Sequence, residues 1–94
     1  MYTISSKLYL EVADSLMAQI GTKEFFSGRV DVVDGDTICS LRCTLLVRHG
    51  KSEEGRSYPP ITGLIPIWWE FHTTEGEEEF INNFSFTKMV ELAL

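Results

Sequence analysis

Apolar residues recur at helical spacing near the start of the chain. Between Ser5 and Gly21, the spacing of these apolar residues places them on one face of a helix. These residues are Tyr9, Val12, Ala13, Leu16 and Ile20. Ser5 or Ser6 can accept hydrogen bonds from the first helical amides, and Gly21 suits the left-handed conformation that often follows the last turn. The pattern predicts an amphipathic helix over this segment.

Two β-rich runs follow, Phe25 to Val33 and Asp36 to Val47, separated by Asp34-Gly35. This dipeptide predicts a hairpin because both of its residues tolerate a positive φ. With these two residues as the loop, the pairs on one side are small or apolar: Val30 with Cys39, Gly28 with Leu41, and Phe26 with Cys43. The pairs on the other side are mostly polar, so one side of the hairpin is expected to be buried.

Strict alternation predicts a third strand from Ile65 to His72. Its apolar side carries Ile65, Ile67, Trp69 and Phe71, and its other side carries Pro66, Trp68, Glu70 and His72. Because Pro66 has no backbone N–H to donate, we expect it near the start of the strand or on an unpaired side.

A fourth strand is predicted from Glu78 to Phe84, after a two-residue loop at Glu75-Gly76. This loop would match apolar faces across the two strands. The resulting pairs are Phe71 with Phe80, Ile67 with Phe84, His72 with Glu79, and Trp68 with Asn83. A continuous helix that begins at Glu77 is the alternative for this segment.

The remaining segments are a loop and a short helix. The segment from His49 to Pro60 is rich in Gly, Ser and charged residues and ends in two prolines, which predicts an exposed, mobile loop. Ser85 is a suitable N-cap for a C-terminal helix. The apolar stripe of this helix comprises Phe86, Met89, Val90 and Ala93.

These elements define a single α+β domain over residues 1–94, in the order α-β-β-β-β-α. The N-terminal helix is expected to pack on a four-stranded antiparallel meander, followed by the short C-terminal helix. The layout resembles cystatin-type architecture, and its order of elements is similar to that of double-stranded-RNA-binding domains. Such a likeness of layout does not determine function, and the chain lacks a Lys-rich helix terminus that would meet phosphates.

The composition and net charge of the chain disfavour some classes of binding partner. The chain has 94 residues, of which 44% are hydrophobic and 23% charged, as in ordinary globular domains. Its net charge of -6 disfavours generic nucleic-acid binding and docking on anionic membranes. No basic, signal-like region opens the chain, and no apolar run is long enough to span a membrane. We therefore expect a cytoplasmic protein with neither nucleic-acid nor membrane partners.

The sequence contains no motif that carries known chemistry. A nucleophile elbow, a P-loop and a dinucleotide fingerprint are all absent, so we expect no enzymatic activity and no cofactor. Cys39 and Cys43 would lie about 13 Å apart on one strand, too far for a disulfide or a shared metal ion. We interpret both as core residues. The aspartates around Gly35 are turn formers rather than calcium ligands.

One cluster of ionisable side chains is predicted on the third and fourth strands. His72, Glu70 and Glu79 share a side of the predicted sheet. They form either a cross-strand charge pair or part of a divalent-metal shell. We expect the charge pair and no metal site.

The side of the sheet away from the N-terminal helix, the outward face, combines large apolar residues with charged ones. Its candidate interface residues are Phe25, Arg42, Leu46, Trp68, Glu70, His72 and Ile81, with Arg29 and Arg48 nearby. A solvated sheet face rarely carries such a set. Either the C-terminal helix covers this face, or the face is an interface, of which a homodimer is the simplest form.

Three functional hypotheses follow from the sequence. The first is a non-catalytic interaction module that self-associates, or binds another protein, through the outward face around Trp68. The second is a small-molecule binding protein with an apolar pocket between helix and sheet, lined by Trp69, Phe71, Tyr9 and Met17. The third is an acidic inhibitor or antitoxin-like protein that contacts a basic partner through Glu75 to Glu79.

Overall fold

The computed structural model describes residues 3–51 and 59–94. It contains two helices and four strands: α1 (Ser6–Ile20), β1 (Phe25–Asp34), β2 (Thr37–His49), β3 (Ile61–Glu75), β4 (Glu78–Asn82) and α2 (Phe86–Ala93). The strands form one antiparallel sheet in the order β1-β2-β3-β4. The predicted fold and order of elements are confirmed, including a strand rather than a helix after Glu77. In the predicted loop at 49–60, His49 belongs to β2, and residues 52–58 lie outside the described residues.

Helix α1 begins and ends where its capping residues predict. The Ser5 hydroxyl accepts a hydrogen bond from the Leu8 amide at 3.1 Å, which satisfies one of the free donors at the helix start. Gly21 adopts a φ of 57°, and its amide donates to the Met17 carbonyl at 3.1 Å. A side chain would strain this left-handed conformation, which explains the glycine. The predicted apolar stripe of the helix is buried.

Both hairpin loops begin one residue later than predicted. The first loop is Gly35-Asp36 and the second is Gly76-Glu77, because Asp34 faces Thr37 and Glu75 faces Glu78. Each glycine thus occupies the first loop position, where its φ is close to 60°. A type II′ turn requires a positive φ at this position, and glycine adopts it without steric cost. The predicted loops at Asp34-Gly35 and Glu75-Gly76 are therefore wrong.

The shifted loops change the cross-strand partners but not the sides. Val30 faces Leu41 rather than Cys39, and His72 faces Ile81 rather than Glu79. The other corrected pairs are Gly28 with Cys43, Phe26 with Leu45, and Phe71 with Asn82. Each partner moves by two residues, which preserves the alternation of side chains across the sheet. Strand β4 ends at Asn82, so the predicted pairs of Trp68 with Asn83 and Ile67 with Phe84 do not form.

Strand β3 contains a register irregularity at its proline. Thr44 faces Trp68 while the next residue of β2, Leu45, faces Pro66, which leaves Ile67 as an extra residue. Proline is tolerated at such a bulge because the ladder is already interrupted there.

Because of this bulge, the side chains in the N-terminal part of β3 lie on the opposite face of the sheet from the one that the simple alternation predicts. Leu64 is buried among the core residues, whereas Ile65 faces Leu46 on the outward face. Ile67 is 60% exposed. The prediction that Ile65 and Ile67 share the buried side with Phe71 is therefore wrong, because the extra residue shifts the period-two alternation by one position.

Helix α2 lies on the same side of the sheet as α1. The Ser85 amide donates to the Tyr9 hydroxyl at 3.2 Å, and the Phe86 ring lies 5.7 Å from the Trp69 ring, centre to centre. Phe84 is buried just before the helix, with its ring 4.9 Å from that of Phe71 and 5.0 Å from that of Tyr9. These contacts direct the chain to the core side after β4. The hypothesis that α2 covers the outward face is therefore wrong.

We expect Phe84→Ala to destabilise the protein by about 3–5 kcal/mol, since it leaves a cavity between two aromatic rings. Urea unfolding followed by circular dichroism measures the change. Leu92→Ala is the control: Leu92 is an exposed apolar residue of α2, outside the outward face, and its loss should cost far less. A loss below about 1 kcal/mol for Phe84→Ala would show that this contact does not determine the position of α2.

Candidate interaction surface

The outward face carries side chains from all four strands. Its residues alternate with the buried ones and face one another across the strands. They comprise the predicted set Phe25, Arg29, Arg42, Leu46, Arg48, Trp68, Glu70, His72 and Ile81, together with Ser27, Asp31, Val33, Ile38, Ser40, Thr44, Ile65, Thr74 and Glu79. Among the described residues, no helix lies over this face.

One end of the outward face is apolar. Phe25 faces Leu46, Leu46 faces Ile65, and Trp68 lies on β3 beside this row. Phe25 is 52% exposed and Trp68 is 47% exposed. We refer to Phe25, Leu46, Ile65 and Trp68 as the apolar end. Contiguous apolar surface of this kind is typical of interaction sites.

The centre of the outward face is a chain of charges around His72. The imidazole Nε2 lies 2.6 Å from Glu70 Oε1 in a hydrogen bond. Nδ1 lies 3.2 Å from Glu79 Oε1, but not in hydrogen-bonding geometry. Arg42 Nη2 contacts the same Glu79 oxygen at 3.5 Å. His72 is only 7% exposed although it lies on an uncovered face, because neighbouring side chains surround its ring.

This geometry favours a charge cluster over a metal shell. Glu70 and Glu79 approach opposite nitrogens of the His72 ring, so the three side chains do not converge on one point. No group of three or more candidate metal ligands occurs in the part of the chain that the structure describes. The prediction that the three residues share one face is confirmed, while the direct pairing of His72 with Glu79 is replaced by a diagonal contact.

A second polar group lies on β1 and β2. Arg29 Nη2 lies 3.1 Å from Asp31 Oδ2, and Ser40 donates a hydrogen bond to the same carboxylate. The hydroxyls of Ser27 and Thr44 are 2.9 Å apart. Such exposed pairs contribute little to folding stability. They do satisfy the polar groups of the face within the chain.

Charge is distributed unevenly over the molecule. The outward face carries three arginines and three carboxylates, which are Arg29, Arg42, Arg48, Asp31, Glu70 and Glu79. These formal charges cancel, whereas the whole chain has a net charge of -6. Among the described residues, the excess acid therefore lies away from this face.

The residues of the predicted small-molecule pocket do not surround one space. The Phe84 ring packs against both Tyr9 and Phe71. The Trp69 indole N–H donates to the Phe84 carbonyl at 3.0 Å. Met17 lies elsewhere, in a shallow cleft of about 290 Å³ that it shares with Ala18, Gly21, Pro59, Pro60 and Ile61.

The acidic segment from Glu75 to Glu79 is partly engaged within the chain. Glu75 accepts a hydrogen bond from the Thr37 hydroxyl at 3.4 Å. Glu79 contacts Arg42 and His72. The segment is thus less available to a basic partner than its sequence indicates.

Sequence reasoning missed Ile65 as a member of the apolar end. The available signal was Pro66, since a proline inside a long apolar alternation indicates a bulge that exchanges the two sides. Val33 and Ile38, which face each other beside the first loop, were also missed.

Cys39 and Cys43 are not joined by a disulfide, and both are buried on the core side of β2. Burial raises the pKa of the Cys43 thiol from its ordinary value of 9.0 to about 11. The neutral thiol is therefore the form that the folded core accommodates.

We expect the stability to fall between pH 9 and pH 11 in a way that depends on Cys43. In that window the unfolded thiol ionises while the folded one stays protonated, so unfolding releases a proton and becomes easier as the pH rises. Urea midpoints measured across this window for the wild type and Cys43→Ala test the effect. The variant should show the shallower decline, because the other titrating groups are common to both. Parallel curves would contradict the assignment.

No family model, curated protein or solved structure matches this chain. Within the described ranges, no helix has the length and apolar character needed to cross a membrane.

Proposed function

We propose that the protein is a non-catalytic interaction module that associates with a second copy of itself through the outward face. The observation that supports this most strongly is the apolar end. Trp68 and Phe25 are each about half exposed, and both helices lie on the opposite side of the sheet. Aromatic residues of this kind contribute much of the binding energy at protein interfaces.

Charge balance favours a second copy over a strongly charged partner. The outward face has equal numbers of arginines and carboxylates. A polyanion or a strongly basic protein would gain little net attraction from such a face. Two copies related by a two-fold axis can instead place the arginines of each opposite carboxylates of the other.

The extent of the face is compatible with a specific interface. The sheet is four strands wide, and β1 is 10 residues long. Usual strand spacing and rise give a projected area of roughly 600 Å². The protruding side chains make the accessible area larger than this projected area. A standard interface buries about 800 Å² per partner, which is of the same order. Two such sheets can pack face to face about 10 Å apart.

The polar centre gives such an interface its specificity. His72, Glu70, Glu79 and Arg42 are already in contact within one chain, so their burial leaves few unpaired charges. The apolar end would supply most of the affinity, while the charges restrict the relative orientation of the two sheets.

A cytoplasmic location is part of this proposal. Cys39 and Cys43 form no disulfide with each other, which is compatible with a reducing compartment.

We expect Trp68→Glu to lower the mass of the assembly in solution while the fold survives. A carboxylate at the centre of an apolar contact would be buried without a partner, which strongly disfavours association. Light scattering measures the mass in units of the 10.7 kDa chain, and circular dichroism checks the fold.

The matched control is Leu10→Glu, which adds the same charge at an exposed apolar position of α1, away from the outward face. It should leave the mass unchanged. A wild type that remains a 10.7 kDa monomer at all concentrations would contradict the proposed function.

A further inference from the structure

Strand β1 presents one edge of its backbone to solvent. It is the terminal strand of the sheet, and the structure describes a neighbouring strand on only one of its sides, β2. The strand is 10 residues long, whereas β4 at the opposite edge has only five. Long edge strands are templates for pairing with another chain.

The hydrogen bonds identify the backbone groups that point to this edge. The Glu24 carbonyl accepts from the Val47 amide at 2.8 Å, so the even-numbered residues here direct their backbone groups towards β2. The Arg29 carbonyl instead accepts from the Gln19 side chain at 3.4 Å. The odd-numbered residues therefore direct theirs to the open edge. They are Phe25, Ser27, Arg29, Asp31 and Val33.

The side chains of these same residues lie on the outward face and are exposed. Arg29 and Asp31 are two positions apart and form the 3.1 Å ion pair described above. The residues of β1 whose backbone groups are directed to the open edge thus include one positive and one negative charge, Arg29 and Asp31. This arrangement can be complementary to itself.

We propose that β1 pairs antiparallel with β1 of a second copy, so that one continuous sheet spans both molecules. Charge selects the register. If the two-fold axis passes beside Val30, Arg29 faces the partner's Asp31 and Asp31 faces the partner's Arg29. A shift by one pair in either direction places arginine opposite arginine or aspartate opposite aspartate, which is destabilising.

In this register the facing residues are also hydrogen-bonding pairs. Arg29 and the partner's Asp31 both direct N–H and C=O groups to the shared edge and exchange two hydrogen bonds. Ser27 and the partner's Val33 do the same. The Arg29 carbonyl then accepts from the partner's backbone, and the Gln19 amide, which is exposed, can turn to solvent.

This edge contact goes beyond the proposed function because it is formed by the backbone at the edge of β1, although the side chains of Arg29 and Asp31 also belong to the outward face. Its two-fold axis is perpendicular to the sheet, so both outward faces lie on the same side of the joined sheet. Such pairs can still pack face to face, since the two axes are perpendicular. With both contacts present, the wild type is an assembly of four copies.

Charge reversal tests the edge contact. Asp31→Arg leaves two arginines on the edge, and Arg29→Asp leaves two aspartates, so each variant alone repels its own copy. Either reversal should halve the mass of the assembly measured by light scattering. Mixing the two variants should restore the wild-type mass, because the all-positive edge then faces the all-negative one. If neither reversal changes the mass, or if mixing does not restore it, the edge contact is overturned.

Trp68→Glu separates this proposal from the proposed function. It should halve the mass through the outward face while the edge contact remains. If Trp68→Glu leaves the mass unchanged but the charge reversals halve it, the edge contact stands and the proposed function fails. If only Trp68→Glu halves the mass, the proposed function stands and the edge contact fails.

A disulfide cross-link gives a second test that does not depend on charge. In the proposed register Ser27 faces the partner's Val33 at a Cα separation of about 5.5 Å, which suits a disulfide. The double variant Ser27→Cys with Val33→Cys should form covalent dimers on mild oxidation. Ser27→Cys alone should not, because its own counterpart in the partner lies about 20 Å away along the strand. Equal cross-linking of the two variants, or none in either, would contradict the register.

Discussion

The packing of Phe84 between Tyr9 and Phe71 determines which side of the sheet is covered. This ring lies at the junction between β4 and α2, close to both neighbouring rings. With Phe84 buried and Ser85 bonded to Tyr9, α2 continues along the side that α1 already occupies. This aromatic contact thus places α2 on the same side of the sheet as α1. It leaves the outward face without a cover from the described chain.

The properties of the outward face follow from this arrangement. The two helices cover the core side of the sheet, so folding does not require the opposite side to be apolar. It nevertheless carries Trp68 and Phe25 beside a connected group of charges centred on His72. Those charges are in contact with one another within the chain, and the arginines and carboxylates of the whole face are equal in number. Such a surface is compatible with burial against an equally balanced one, which is the basis for proposing a second copy as its partner.

The sequence was sufficient where local rules decide the structure. The spacing of apolar residues and the caps Ser5 and Gly21 define α1, and glycine-containing turns reveal both hairpins. The loops themselves were misplaced by one residue, because the same glycine can be the second residue of a type I′ loop, with a positive φ at both positions, or the first residue of a type II′ loop, with a positive φ there alone. The bulge at Pro66 and the side chosen by α2 depend on contacts between distant residues. Local patterns therefore did not predict them.

The solvent accessibility of the Trp68 indole tests the central claim most directly. The chain has only two tryptophans, so Trp69→Phe leaves Trp68 as the sole indole while preserving an aromatic ring beside Phe86. Acrylamide quenching of its fluorescence can be followed as the protein is diluted. If a second copy covers the outward face, quenching is weak in concentrated protein and rises on dilution. Quenching that is strong and independent of concentration would show that the face remains in water and would contradict the account.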